Sequence, residues 1–457
     1  MKYLILIFCL LNPLALFSAT ENVLVQLFSW SWKDVANECE DYLGPKGFYG
    51  VQVSPPNEHA IVEGRPWYER YQPVSYKINS SSGDLNSFKS MVRRCRSSGV
   101  EIYVDVVLNH VAWFPKNGET ARGIADSLYS KYHYPDYPND SFFHKCRNGE
   151  SDDIWDWNNR FELFNCNLAN LPDLNTADRR VQNTLRSYLK KLKSLGVKGI
   201  RVDAAKHVAA KDLKEIYADI FDKEHIYQEV IDLDANGPVR SDEYFHLGKV
   251  TNFNYGQDLG RIFQHGNLAY LKSFGEPWAY TPTDKTVVFL DNHDTQRGHG
   301  PNQFLLTYKN GDLYTMARAF MLSWPYGQPI LMSSYYFNDN NIGPPTRDLN
   351  KNICRDENWV CEHRNNLIAP LISLRKKLVS PHLSGWWTNN SNQIAFSREK
   401  KHLFVFNRNN YPIKKISNLN LEHGDYKDLN SNAILKVFNN EIHLHVDPNS
   451  FKIFSKL

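Results

Sequence analysis

Gly199–His207 reads GIRVDAAKH, Ile226–Asp232 reads IYQEVID and Val288–Asp294 reads VFLDNHD. Each is a short apolar run that leads to an acid: Asp203, Glu229 and Asp294 in turn. A strand ending in an acid is unremarkable once. Three in sequence, with helix-length spacers between, point to acids gathered at one rim of a barrel. Carboxylates gathered in a cleft suit glycosidic bond cleavage, which needs one acid to protonate and one to attack.

Outward from these runs the same rhythm continues. Phe48–Pro55 (FYGVQVSP), Ile102–His110 (IYVDVVLNH) and Pro329–Ser334 (PILMSS) are further apolar runs that end in polar residues. Asp84–Ser97, Asp178–Leu195, Ala210–Phe221 and Leu313–Ser323 read as helices between them. Strand–helix alternation over this length predicts a parallel barrel or a doubly wound sheet. No glycine-rich phosphate loop follows the first strand, which argues against a dinucleotide fold. Polar residues at strand C-termini fit the active-site face of a (β/α)8 TIM barrel. From Val111 to Asp173 the chain is rich in Tyr, Pro, Asn, Asp and Trp without helical period, and reads as a small irregular inserted domain. After Pro381 short β-rich runs (Gln393–Ser397, His402–Asn407, Glu441–Val446) alternate with Asn-rich turns, which predicts a C-terminal antiparallel β-sandwich. The expected organisation is a signal peptide at 1–19, a barrel at 20–110 and 174–380, the insertion at 111–173 and the sandwich at 381–457.

The chain has 457 residues, 42% of them hydrophobic, and a net charge of +3. That is enough apolar material for a large core, and near-neutrality without a basic block argues against a nucleic-acid surface. Lys2 precedes an apolar stretch, Tyr3–Leu11, that runs on past Pro13 to Phe17, and Ser18 and Ala19 follow. This pattern is a secretory signal peptide cut near Ala19, so a secreted, soluble protein is expected. The stretch is short for a membrane span, is broken by Asn12 and Pro13, and no later segment is long and apolar enough to cross a bilayer. Of seven cysteines Cys9 leaves with the leader; an even set remains for an oxidising compartment, with the pairing open. Sequons at Asn79, Asn139 and Asn389 are glycan acceptors if the host cell is eukaryotic.

The longer motifs resemble those of the animal-type α-amylases, retaining glycoside hydrolases with a (β/α)8 barrel. They are GFYGVQVSPPNE (Gly47–Glu58), RPWYERYQPVSYK (Arg65–Lys77), DVVLNH (Asp105–His110), GIRVDAAKH, YQEVID, FLDNHDTQRGHG (Phe289–Gly300) and NWVCEHR (Asn358–Arg364). The likeness runs from about Val25 to Arg364. The resemblance implies Asp203 as nucleophile, Glu229 as general acid and then base, and Asp294 as the acid that grips sugar hydroxyls. It implies His110, His293 and His299 on sugar hydroxyls, and Lys206 and His207 on the leaving-group side. Arg201 lies two residues before Asp203 on the same strand and points the same way, into the barrel. Trp67, Tyr68, Tyr71 and Gln72 look like the family's stacking and hydrogen-bonding platform, with Tyr68 where the family usually has a second Trp.

The resemblance also implies a structural calcium ion held by Asn109, Asp173 and the backbone of His207 and Phe164. In many animal amylases a chloride ion is held by an Arg, an Asn and a third basic residue, here Arg201, Asn292 and Tyr336. A neutral phenol in the third place leads us to expect that chloride binds weakly or not at all and that activity does not depend on it. The shorter stretch after Gly300 implies a more open cleft. The family's pairings imply the disulfides Cys39–Cys95, Cys146–Cys166 and Cys354–Cys361.

The resulting expectation is a secreted, monomeric endo-acting α-amylase. It would cut α-1,4 bonds of starch, glycogen and maltooligosaccharides, with no nucleic-acid or membrane partner. Two other readings stand beside it. One is a relative that prefers short maltooligosaccharides or transfers glycosyl groups. The other is a non-catalytic barrel, as in the transporter heavy chains that share the fold, which are expected to lose catalytic acids and gain a span. The tryptophans Trp386 and Trp387 are expected to pack inside rather than to bind starch.

Overall fold

The computed structural model describes residues 22–114, 119–146, 152–234, 236–346, 352–438 and 441–457. The expected signal peptide lies outside the described residues. Eight parallel strands close into a barrel: β1 (Leu24–Leu27), β2 (Gly50–Val53), β3 (Glu101–Val107), β4 (Gly199–Asp203), β5 (Ile226–Gln228), β6 (Lys249–Asn252), β7 (Thr286–Val288) and β8 (Gln328–Ser333). Each strand pairs with the next in chain order, and β8 returns to β1 with Leu24 opposite Ile330. Strands buried on both faces read as near-continuous apolar runs, which is why β3, β4 and β8 are visible in the sequence.

Helices α1 (Trp32–Glu38), α2 (Leu85–Ser97), α3 (Arg179–Ser194), α4 (Ala210–Tyr217), α5 (Phe253–His265) and α6 (Gly311–Ser323) are among those that pack outside the barrel. Helix α3 shows why they form. Asp178 caps it by accepting from the Arg180 amide, and Val181, Leu185, Tyr188, Leu189 and Leu192 make one buried stripe.

Strands β1 and β6 and helices α1 and α5 lie outside the expected elements. Strand β6 reads KVTN, because the barrel interior is partly polar. Lys249 Nζ donates to Gln328 Oε1 at 2.5 Å, and the Tyr227 hydroxyl donates to Gln52 at 2.7 Å. The expected run Val288–Asp294 is also corrected: the strand is Thr286–Val288, and Asp294 sits in the following loop as the cap of a 3-10 turn at Thr295–Arg297.

Between β2 and α2 the chain makes an antiparallel sheet (Asn57–His59, Pro73–Ser80, Gly83–Asp84) that bridges at Ala60 to Gly123. Buried Glu58 accepts from the amides of Ala125 and Ser127 at 3.0 and 2.9 Å, which fastens the 111–173 stretch to this sheet. The helix Arg160–Asn165 packs onto the turn Ala205–His207 that follows β4. All three disulfides form in the pairing that the resemblance implied.

After α7 (Ala369–Arg375) come β9 (Gly385–Thr388), β10 (Gln393–Arg398), β11 (His402–Asn407), β12 (Ile413–Ser417), β13 (Gly424–Asp428), β14 (Ile434–Val437), β15 (Glu441–Val446) and β16 (Ser450–Lys456). They build an antiparallel six-stranded sheet, in the order β9-β10-β11-β16-β13-β14, and a two-stranded one, β12-β15. Alternation decides the packing. Ile394, Phe396, Phe404 and Phe406 join the barrel core, while Ala395, Leu403 and Val405 form a second core with Ile413, Ile416 and Ile442. Phe396 and Phe406 meet Phe320 of α6. Arg398 and Arg408 donate to the carbonyls of Ser323, Gln264 and Gly266 at the ends of α6 and α5. Trp386 packs on Trp324 and Phe396, and Trp387 lies against the second core.

Candidate active site

Adjacent strands β3 and β4 place Asp105 opposite Arg201 in register. Both side chains are buried, and Arg201 Nη1 meets Asp105 Oδ1 at 2.7 Å and Asp203 Oδ1 at 2.8 Å. Its Nη2 meets Glu229 Oε1 at 2.6 Å and stands 3.8 Å from Asp294 Oδ2. One guanidinium thus gathers all three predicted acids and a fourth, Asp105. Glu229 is set by the backbone: its amide donates to Val202 O at 2.9 Å, and its Oε2 accepts from the Ala204 amide at 2.9 Å. Ala204 takes φ +47°, a left-handed conformation that costs a non-glycine residue about 1 kcal/mol or more. The strain lies beside Asp203 and against the Glu229 carboxyl.

Four acids around one cation leave an excess of negative charge, and burial raises every one of their pKa values. Asp105 is pushed up to about 7 by burial, against the pull of Arg201. Burial raises Asp203 while Arg201 opposes it. Burial raises Glu229 as well, and the Asp203 charge adds to it. Asp294 lies well above the usual range through burial and then the Glu229 charge. Asp203 meets Arg201 through one hydrogen bond at 2.8 Å, which favours its ionised form against the burial.

Burial keeps His293, His110 and His207 neutral. His293 is driven well below its ordinary value by burial and by Arg201. Gln26 Nε2 lies 2.9 Å from its Nδ1, which leaves Nε2–H to face Asp294 Oδ2 at 3.3 Å. Its ring is stacked between Phe28 at 4.8 Å and Tyr71 at 5.0 Å. His110 is lowered to about 4 by burial, and its Nε2 lies 3.0 Å from Tyr71 O. His299 is exposed, and its amide donates to Asp294 O at 3.0 Å.

The expected platform is largely a buried wall. Trp67 is 4% exposed, donates from Nε1 to Asn340 O and turns an edge to His293 and His299. Tyr71 donates its hydroxyl to Asp105 at 2.9 Å, and Gln72 accepts from the Trp113 amide at 3.2 Å. Tyr68 is the more open ring. On the other side Lys206 Nζ donates to Ile231 O at 2.6 Å, and Trp157 lies edge-on to His207 at 5.9 Å with its own ring exposed.

Of the expected anion set, Arg201 lies buried among carboxylates. Asn292 Oδ1 accepts from the amide and hydroxyl of Thr295, at 2.8 and 3.0 Å. Tyr336 is 53% exposed and lies against Tyr308. The guanidinium is met by carboxylates, so its burial needs no outside anion.

Asn109, Asp173 and His207 do converge. With His110 donating from Nε2, its Nδ1 accepts from Asn109 Nδ2 at 3.3 Å. That turns Asn109 Oδ1 toward His207 O at 3.0 Å and Asp173 Oδ1 at 3.3 Å. The Asn109 amide, Asp173 Oδ1 and the His207 carbonyl, from separate segments, thus come together, and their oxygens are the donor set a hard cation takes. Phe164 follows Leu163, whose carbonyl lies 3.2 Å from His207 Nδ1. A second cluster, Glu38, Cys354 and His363, does not fit a metal. The Cys354 sulfur is in a disulfide, and Arg364 already holds both Glu38 oxygens.

Sequence reasoning missed Asp105, Gln26 and Trp157. Asp105 carried a signal: an acid in the middle of an apolar strand needs a buried partner.

A closed parallel barrel with these acids at its rim is the architecture of a glycoside hydrolase barrel. Comparison makes this definite. Residues 41–246 match the model described as "Alpha amylase, catalytic domain", and 386–455 match "Alpha amylase, C-terminal all-beta domain". The chain is 41% identical to an α-amylase-related protein of Drosophila punjabiensis over 437 residues, 91% of this chain and 86% of that one. The α-amylase I of Eisenia fetida superposes with a TM-score of 0.88 at 33% identity, covering 95% of this chain and 97% of that one. A mutant of the same earthworm enzyme, solved as a maltohexaose complex, matches equally. The chain belongs to the α-amylase family.

Proposed function

We propose that this chain is a secreted α-amylase that hydrolyses internal α-1,4-glucosidic bonds of starch, glycogen and maltooligosaccharides with retention. The observation that carries the reading is the sharing of Arg201 by Asp203 and Glu229. One short guanidinium bridging two carboxyls suits the separation of about 5–5.5 Å used by retaining pairs. Asp203, ionised against Arg201, attacks the anomeric carbon as Glu229 gives its proton to the departing glycosidic oxygen. Glu229, now a carboxylate, takes a proton from water, which opens the Asp203 ester. Burial and then the Asp203 charge raise the Glu229 pKa, which favours the protonated acid before the first step. Asp294 and the neutral His293 hold sugar hydroxyls as the ring flattens. Lys206, His207 and Trp157 line the leaving-group side.

Calcium would be held by Asn109, Asp173 and the carbonyls of His207 and Phe164, and would supply structural pinning of the inserted segment. His207 belongs to both sites, so the ion shapes the cleft without touching the scissile bond. The chain acts as a monomer. The leader at 1–19 and three disulfides support secretion, and among the described residues no helix is long and apolar enough to cross a membrane.

The test is release of reducing sugar from soluble starch in calcium buffer, without chloride and then with it, and with the anomer of the product followed by NMR. We expect α-anomeric products and the same rate in both buffers. Inertness in both refutes the enzyme. A β-anomer refutes retention, and activity only with chloride refutes the independence from halide.

A further inference from the structure

The segment Asn358–Arg364 has no part in the chemistry above, and its charged residues face two ways. His363 and Arg364 close on Glu38 at the end of α1, with Nε2 of His363 2.8 Å from Oε1. Glu362 turns toward Ser334, just past the end of β8. The Ser334 hydroxyl donates to Glu362 Oε1 at 2.5 Å and the Ser334 amide to Oε2 at 2.8 Å. The same hydroxyl accepts from Gln296 Nε2 at 2.8 Å, and Gln296 Nε2 also donates to Asp291 Oδ2 at 2.6 Å. Tyr314 of α6 donates to Asp291 Oδ1 at 2.7 Å. All five residues are buried.

Asp291 and Gln296 bracket Asp294 in the chain. Within that turn the bonds are local: Thr295 to Asn292, and the amides of Arg297 and His299 to Asp294 O at 2.9 and 3.0 Å. The chain from Glu362 through Ser334 and Gln296 to Asp291 instead fixes the turn from outside, against β8. A buried network in which each member is satisfied by the next holds one arrangement, and losing a member leaves its neighbours unpaired. Burial and the nearby Glu362 charge push Asp291 up to about 7, and burial raises Glu362.

We propose that Glu362 is a positioning residue for Asp294: through Ser334 and Gln296 it sets the turn that presents Asp294 to the sugar. The inference rests on the reading of Asp294 as a sugar-gripping acid. Displacement of a reacting group by about 1 Å costs on the order of 10²-fold in rate. Glu362→Ala is therefore expected to lower kcat on maltooligosaccharide at least about tenfold, measured well below its Tm. Glu362→Gln keeps an acceptor for Ser334 and is expected to recover most of that loss. Glu38→Gln breaks the other half of the segment, and is expected to lower Tm while kcat stays at the wild-type value.

Asp294→Asn separates the two ideas. Full activity in Asp294→Asn overturns the reading of Asp294 itself. An inactive Asp294→Asn beside a Glu362→Ala with wild-type kcat overturns the positioning role. Equal loss of kcat in Glu362→Ala and Glu38→Gln also overturns it, because general loosening then explains both.

Discussion

Two buried acid clusters of this barrel are opposites. Around Arg201, Asp105, Asp203, Glu229 and Asp294 outnumber one cation, and all four pKa values rise. Around Glu38, one acid meets His363 and Arg364. Burial works to raise its pKa, but the hydrogen bonds from those two outweigh it and hold Glu38 below its ordinary value. Glu38 is 1% exposed and Glu229 8%, so burial alone does not separate them. Charge balance does. A balanced cluster holds the fold together, and an unbalanced one stores protons for chemistry at a cost to stability.

The largest expected effect tests the unbalanced side. Asp203→Asn and Glu229→Gln should each lower kcat on starch at least about 10³-fold, since on the proposed mechanism each removes a group that bonds to or protonates the substrate. Both should leave Tm at pH 8 unchanged or higher, because a neutral amide relieves repulsion. A fall in Tm together with activity would erase the contrast with Glu38.

Next comes the mirror substitution. Glu38→Gln should destabilise by about 3 kcal/mol, the scale for breaking a buried ion pair. Urea unfolding measures it, and a change below about 0.5 kcal/mol would mean that the pair is not worth its burial.

Calcium gives a middle-sized effect. EGTA should lower Tm and added calcium restore it, by about 2.7 kcal/mol at a hundredfold excess over Kd. Asp173→Asn should abolish the restoration. A Tm indifferent to EGTA would deny the cage at Asn109.

The smallest effect is the pH slope of stability, and its sign differs between the clusters. Asp105 binds its proton more tightly in the folded chain, so its contribution is present below its ordinary 3.8 and is lost as pH rises toward about 7. Glu38 is lowered, so its contribution is present above its ordinary 4.5 and is lost as pH falls through the folded value. Asp105→Asn should flatten the loss of Tm on the rising side and leave the acid side alone. A scan of Tm against pH for both proteins decides it.

Much of this was legible in the sequence. The apolar runs at β3, β4 and β8 announced a parallel barrel, and the acids at or past the ends of β4, β5 and β7 announced the rim. The alternation of Gln393–Ser397 and His402–Asn407 gave the C-terminal sheet to within a residue. Strand β6 stayed hidden because its barrel-facing Lys249 pairs with Gln328, and no local period records a partner so distant in the chain. Asn292, a side chain that can cap its own turn, takes a local bond to Thr295. Gln26 and Asp105 were missed because their value lies in what the fold brings to them.

The C-terminal sheet has one further consequence. Every second residue of β10 and β11 belongs to the barrel's core, and arginine forks from the sheet grip the last carbonyls of α5 and α6. The sheet is thus less an appended module than a floor laid under two helices. Heating should melt barrel and floor together in one transition. A chain cut after Pro381 would bare Phe320 and Trp324 as a greasy face, and would leave solution before it could be assayed.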